Sequence, residues 1–104
     1  MGLQDLHQKN IVHRDIKLEN ILMSSLQNNF QAKIADFGSA TILPTADSKA
    51  RLQIGTNGYF APEILKAEEY GKEVDIYSLG ALTYALLTAK LPFWDADTDK
   101  KLYI

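Results

Sequence analysis

The sequence predicts an α+β fold, mainly helical, with short β-hairpins, and three observations lead there. One segment, Val74 to Lys90, is a strong helix candidate. Three short β-like runs stand earlier: Ile11 to His13, Ile21 to Met23 and Ala32 to Ala35. Between the two regions lies Gly38 to Gly58, rich in Thr, Ser, Ala and Gly and without a clear period. Structureless stretches of that length in a small domain usually carry function.

The elements follow in order. Gly2 to His7 looks like the tail of a helix, with Leu3, Leu6 and His7 at helical spacing and Asn10 as a stop. Met1 stands in that pattern without a cap, so the chain reads as starting mid-element. The polar connection Ser24 to Phe30, holding Asn28-Asn29, suits a hairpin loop between two strands. Pro62 to Lys66 suits a short helix. In the helix at 74–90, Ile76, Tyr77, Leu79, Leu82, Tyr84, Leu86 and Leu87 spread around the circumference. Such a helix asks for burial on every side, and few other elements here can provide it. Pro92 ends it, and Asp95 to Ile104 is expected to begin another helix.

Composition narrows the function classes. At 104 residues the chain allows one small domain. Apolar residues make up 46% and charged residues 23%, a globular rather than a disordered balance. The formal net charge is −2 with no basic block, which argues against nucleic acid as a partner. There is no Cys, so disulfides and thiolate metal sites are excluded. No apolar leader is visible near Met1. The apolar-rich run from Ile76 to Ala89 is shorter than the ~20 residues that span a bilayer. No membrane partner is expected; the chain reads as soluble and intracellular, cytoplasmic or nuclear.

The chemistry lies in His13-Arg14-Asp15-Ile16-Lys17-Leu18-Glu19-Asn20, followed by Asp36-Phe37-Gly38 and Ala61-Pro62-Glu63. Asp15 is a carboxylate that can orient a hydroxyl nucleophile. With an ordinary pKa near ~3.9 it is a weak base, so it takes the proton late. Lys17 is a compact cation two residues on, able to neutralise charge on a transferred group. Asn20 offers an amide oxygen and Asp36 a carboxylate, hard oxygen ligands suited to Mg²⁺. Gly38 lets the backbone turn just after Asp36. Taken singly, each has a plain structural explanation. Asp-Phe-Gly is a strand end with a turn, His13 a satisfied core histidine, and Lys17 and Glu19 solvated charges. Together the set suits phosphoryl transfer, which asks mainly for positioning and charge stabilisation.

The joint pattern is more specific. His-Arg-Asp-x-Lys-x-x-Asn, Asp-Phe-Gly, Gly-Thr-x-Gly-Tyr-x-Ala-Pro-Glu and Asp-x-x-Ser-x-Gly occur here in one order. That order resembles the catalytic loop, metal-binding triplet, activation segment and central helix of eukaryotic protein kinases. The resemblance covers nearly the whole chain, residues 1–104, as the middle of a kinase C-terminal lobe. It implies transfer of the ATP γ-phosphoryl group to a Ser or Thr hydroxyl of a protein substrate. Asp15, Lys17 and Thr56 are then the catalytic residues, with Thr56 bonded between the other two. Lys17, Glu19, Asn20, Leu22 and Asp36 face the nucleotide, Leu22 from below the adenine, and Asn20 and Asp36 hold Mg²⁺. Tyr59 and its neighbours floor the peptide site, His13 and Phe37 stack, and Asp75 holds catalytic-loop N–H groups while also suiting a helix cap. Lys17 with Glu19-Asn20 favours the Ser/Thr class. Gly55-Thr56-Asn57-Gly58-Tyr59 and Leu91-Pro92-Phe93 are similar to the calcium/calmodulin-dependent group.

The pattern also departs from the family. Tyr77 stands where Trp is usual and Leu18 where Pro is common, both structural positions. Leu52 occupies the place where many relatives carry a phosphorylatable Thr that Arg14 would answer. Thr45 and Ser48 remain as off-register candidates. Alternatively, Arg14 pairs with an acidic side chain, or the loop needs no phosphate. A Gly-rich loop, a phosphate-pairing strand lysine with its helix Glu, and an Arg for Glu63 are absent from these residues. Two functions therefore stand side by side: a truncated catalytic kinase, inactive alone, or a kinase-derived scaffold or regulator that docks without catalysis.

Overall fold

The computed structural model describes residues 2–26, 29–95 and 100–101. Helix α1, Gly2–Gln8, ends where Asn10 turns left-handed at φ 60°, a conformation Asn tolerates better than most residues. Strand β1, Ile11–Val12, follows. A 3₁₀ turn at Leu18–Asn20 leads into β2, Ile21–Leu26, which pairs antiparallel with β3, Asn29–Ile34. The hairpin is longer than the sequence suggested. Ser24, Ser25 and Phe30 lie in paired strands rather than in the loop, with Ser24 opposite Gln31 and Ser25 opposite Phe30. Backbone pairing tolerates Ser24 and Ser25 because this end of the hairpin is half or fully exposed. The expected loop residue Asn28 lies outside the described residues.

Strand β4, Thr41–Ile42, pairs antiparallel with β1, in the register Ile11 to Ile42 and Val12 to Thr41. Leu43 N–H adds a 2.7 Å bond to Asn10 O. The stretch from Gly38 to Gly58 is thus not structureless. It holds β4 and an isolated antiparallel pair between Ala50 and Tyr70. Helix α2, Pro62–Leu65, carries Pro at its first position, where the missing N–H costs nothing. Helix α3, Glu73–Thr88, stops two residues short of the expected Lys90. Ala89 turns left-handed at φ 61° and the Thr88 hydroxyl accepts from Lys90 N–H at 3.2 Å, so the helix closes before Pro92 is reached. Beyond it, β5, Trp94–Asp95, pairs with β6, Lys100–Lys101. At Asp95, Lys100 and Lys101 the expected helix is replaced by strand, with backbone bonds between chain segments in place of local ones. The remainder of that expectation falls outside the described residues.

Two buried clusters fix the frame. The first joins Val12, Leu43, Ala61, Ile64, Tyr70 and Val74, with Phe60 and Tyr77 packed against it. The second joins Leu3, Ile16 and Leu82, with Leu6, Ile21, Ile34 and Tyr59 around it. Both use α3 as a wall. The molecule measures 44 × 40 × 18 Å, so a helix about 10 Å wide is covered on one side only. Val74, Asp75, Ser78, Ala81 and Leu82 are buried, whereas Ile76, Leu86 and Leu87 stay exposed. The burial on all sides that the apolar circumference asked for is not met within these residues.

Candidate active site

β1 delivers His13, Arg14 and Asp15 to the end of the β2–β3 hairpin, and Asp75 on α3 holds them there. Its carboxylate is fully buried. Oδ2 accepts from His13 N–H at 2.8 Å, and Oδ1 from Arg14 N–H at 2.9 Å. The His7 ring lies within 2.9 Å of the same Oδ2. Bonds to a charged acceptor are the strong ones. They keep Arg14 at φ 71°, a left-handed conformation that costs an ordinary residue about 1–2 kcal/mol. The expected bonds from Asp75 to the loop are present. Its other suggested role is not: Asp75 lies in the third helical position, its carboxylate is committed to the loop, and the cap residue Lys72 makes no side-chain cap bond.

His13 and Arg14 in turn clasp both flanks of Asp36-Phe37-Gly38. His13 Nε2 donates to Ala35 O at 2.9 Å, which leaves Nδ1 to accept Asp15 N–H at 3.2 Å; the tautomer is assigned from these partners. Arg14 Nε donates to Ser39 O at 2.6 Å. Phe37 meets the His13 ring edge-on at 5.2 Å between centroids.

Asp15, Thr56 and Lys17 form a closed triangle. Thr56 Oγ1 donates to Asp15 Oδ1 at 2.6 Å, Lys17 Nζ donates to Thr56 Oγ1 at 2.9 Å, and Lys17 Nζ lies 3.8 Å from Asp15 Oδ2. Asn20 Nδ2 donates to Asp15 O at 2.8 Å and reaches Oδ2 only at 3.5 Å. Oδ1 is therefore committed, and Oδ2 has long contacts alone. Gly55 allows the approach that brings Thr56 here. At φ 133° it occupies a region closed to most side chains, and a Cβ would stand 3.0 Å from Arg14 O.

Asn20 and Asp36 flank the same end of the hairpin, with Asn20 opposite Ala35. Asn20 precedes β2, Asp36 follows β3 by two residues, and Ala35 N–H bonds Asn20 O at 2.8 Å. Because Asn20 spends its Nδ2 on Asp15, its amide oxygen is left without a donor among the described residues. Asp36 is exposed, at φ 58°, with Oδ1 accepting Gly38 N–H at 3.2 Å. One carboxylate plus one amide oxygen is a donor set that fits Mg²⁺ shared with phosphates, since that ion keeps few protein ligands. No cluster of three or more acidic, His or Cys ligands occurs among the described residues. Glu19 and Leu22 are exposed, Leu22 on β2 beside this edge.

Tyr59 sits half-buried, its carbonyl accepting from Ser78 Oγ at 2.8 Å. Burial and the nearby Glu19 charge push its hydroxyl above the ordinary tyrosine range. Two contributors escaped sequence reasoning. His7 braces Asp75, and Tyr70 is buried beneath residues 50–53, with its hydroxyl between Arg14 and Leu52 O. His7 could have been found only by placing α1 against α3. Tyr70 lies in the polar stretch 66–73, where no period marks a core residue. No helix among the described residues is long and apolar enough to cross a membrane.

Comparison with known proteins gives the family. The family model described as "Protein kinase domain" matches residues 1–104. The calcium/calmodulin-dependent protein kinase type II alpha chain of Drosophila melanogaster is 48% identical over 92 residues, 88% of this chain and 17% of the relative. Serine/threonine-protein kinase CLA4 of Candida albicans is 39% identical over 103 residues, 99% of this chain and 10% of the relative. Human serine/threonine-protein kinase Nek5 is 44% identical over 93 residues, 89% and 13% respectively. The chain thus spans less than a fifth of the length of each.

Proposed function

The chain belongs to the protein kinase domain family, among Ser/Thr kinase relatives, and from that premise we propose that its residues serve ATP-dependent phosphorylation of Ser or Thr hydroxyls in protein substrates. The triangle of Asp15, Thr56 and Lys17 carries the proposal. It joins residues 41 positions apart into one charged group with a single uncommitted carboxylate oxygen. A substrate hydroxyl meeting Asp15 Oδ2 would be oriented for attack and would give up its proton there late. Lys17, held by Thr56, places positive charge beside the group in transfer. Mg²⁺, when bound by Asn20 and Asp36, supplies charge neutralisation on the nucleotide phosphates. Glu19 and Leu22 flank the nucleotide, Leu22 with its half-exposed side chain toward the adenine. The chain acts as the central part of a kinase C-terminal lobe. A Gly-rich loop and a strand lysine are not among these residues, so ATP binding needs such parts in addition. One relative is named as calcium/calmodulin-dependent and others simply as serine/threonine-protein kinases, and membership of that group rests on the sequence likeness around Gly55 and Leu91.

A second function is favoured by one observation. Ile76, Leu79, Leu86 and Leu87 leave an apolar side of α3 open, which suits a docking role without catalysis. Nucleotide and turnover measurements separate the two. In the full-length protein, Asp15→Asn should lower kcat by about 10²–10⁴-fold while Mg·ATP affinity persists. Asp36→Asn should weaken Mg·ATP binding as well. The 104-residue chain alone should transfer no radiolabel from ATP to a basic Ser peptide. Wild-type turnover in both mutants would end the assignment, and equal loss of Mg·ATP affinity in both would end the division of roles.

A further inference from the structure

The buried guanidinium of Arg14 is one residue from Asp15, yet no carboxylate meets it among the described residues. Its partners are the neutral Ser39 O at 2.6 Å and the Tyr70 hydroxyl at 3.3 Å. Tyr70 is itself 1% exposed and donates its own proton to Leu52 O at 2.5 Å. The hydroxyl therefore accepts from the catalytic loop and donates its one proton to the activation segment. Around it the segment is stitched down repeatedly. Ala50 and Tyr70 exchange backbone bonds of 2.7 and 2.9 Å. Arg51 pairs with Glu69 at 2.7 Å, and Gln53 Nε2 donates to Leu65 O at 2.7 Å. Gly55 and Thr56 follow directly, and Thr56 holds Asp15. Thr45 and Ser48 bond each other at 2.8 Å on an exposed turn and take no part in this stitching.

We propose that Tyr70 is a positioning residue whose hydroxyl locks residues 50–53 to Arg14, so that the activation segment holds Thr56 on Asp15 with no phosphate added. This rests on the kinase function proposed above, as far as turnover is concerned. The locking itself does not depend on it.

The test uses the full-length protein, stripped by phosphatase and confirmed free of phosphate by intact mass. Trypsin reports the segment, because Lys49 and Arg51 are exposed cleavage points within it. Wild-type protein should be cut slowly at Arg51, and Tyr70→Phe, which keeps the ring and loses only the hydroxyl, about tenfold faster, as loss of a buried hydrogen bond allows. Turnover on a Ser peptide should fall about tenfold in kcat with the KM for ATP unchanged. A merely structural loss would lower both binding and turnover together with the melting temperature. If Tyr70→Phe does not fold, Gln53→Ala, at the exposed edge of the same stitching, should raise cutting at Arg51 two- to threefold, and no rise would overturn the proposal. Cutting of phosphate-free wild type as fast as Tyr70→Phe would overturn it too, because the segment would then need phosphate. Protection lost in Tyr70→Phe, in a protein that transfers no phosphoryl group in any preparation, would uphold the lock and refute the kinase function.

Discussion

Removing the Asp75 carboxylate is the most demanding test of how the loop is held. Asp75→Ala strips a charged acceptor from two buried backbone donors, His13 N–H and Arg14 N–H, and from the His7 ring. Leaving a buried donor unsatisfied costs about 1–3 kcal/mol, so the two backbone groups together cost about 2–6 kcal/mol. Part of this returns. Arg14 is then free to leave φ 71°, which recovers about 1–2 kcal/mol of conformational strain. The net loss should be about 1–4 kcal/mol, a large share of the ~5–15 kcal/mol that stabilises an ordinary domain. Asp75→Asn keeps one carbonyl acceptor for one of the two N–H groups and should lose about half as much. Urea unfolding followed by circular dichroism at low protein concentration measures both variants, and amide exchange at His13 and Arg14 shows whether the loss is local. A loss under about 1 kcal/mol in Asp75→Ala, or unchanged protection of those two amides, would refute the account of Asp75 as the anchor.

Two further outcomes are expected. Thr56→Ala should lower kcat in the full-length protein by about tenfold or more, by freeing Lys17 from Asp15, whereas Thr56→Ser keeps the hydroxyl and should retain most turnover; equal losses in the two variants would exclude the bridging role. Alkaline pH should weaken the fold through Tyr77, whose hydroxyl is pushed above its ordinary value of 10.0 by burial and then by the Glu63 charge. The folded state holds that proton more tightly than the unfolded chain, so its contribution is full below pH 10 and is lost as pH rises through the folded value. The fall in urea midpoint as pH rises above 10 should be shallower in Tyr77→Phe; identical falls in the two proteins would contradict the assignment.

The parts of the site that were legible in the sequence are those whose chemistry lies in short, ordered motifs. Asp15, Lys17 and Asn20 sit within one loop, and the roles proposed for them follow from residue type and offset. Thr56 was legible only through family likeness, since no local rule connects it to a residue 41 positions away. What stayed hidden depends on pairing between distant segments. β4 is two residues long and does not alternate, so only its register with β1 makes it a strand. Tyr70 is core by virtue of what folds over it. The strand at β5 and β6 likewise draws its bonds from its partner, whereas local pattern alone favoured a helix. The apolar circumference of α3 was read correctly as composition, but composition does not say which sides the rest of the molecule covers.

The distance between Asp75 and the donors it satisfies has a kinetic consequence. His13 N–H finds its acceptor 62 residues later in the chain. At about 5–20 residues per second, a ribosome needs several seconds to supply that carboxylate after the loop has been made. Until then the two N–H groups are held by water, and nothing keeps Arg14 left-handed. Loop closure of this span must precede the reward, so the loop forms after α3 docks and late in folding. Asp75→Ala should accordingly speed unfolding and leave the refolding rate nearly unchanged, the pattern of a contact absent from the transition state. The chemistry-bearing loop then acquires its shape only once α3 is in place, and loses it when α3 lifts away.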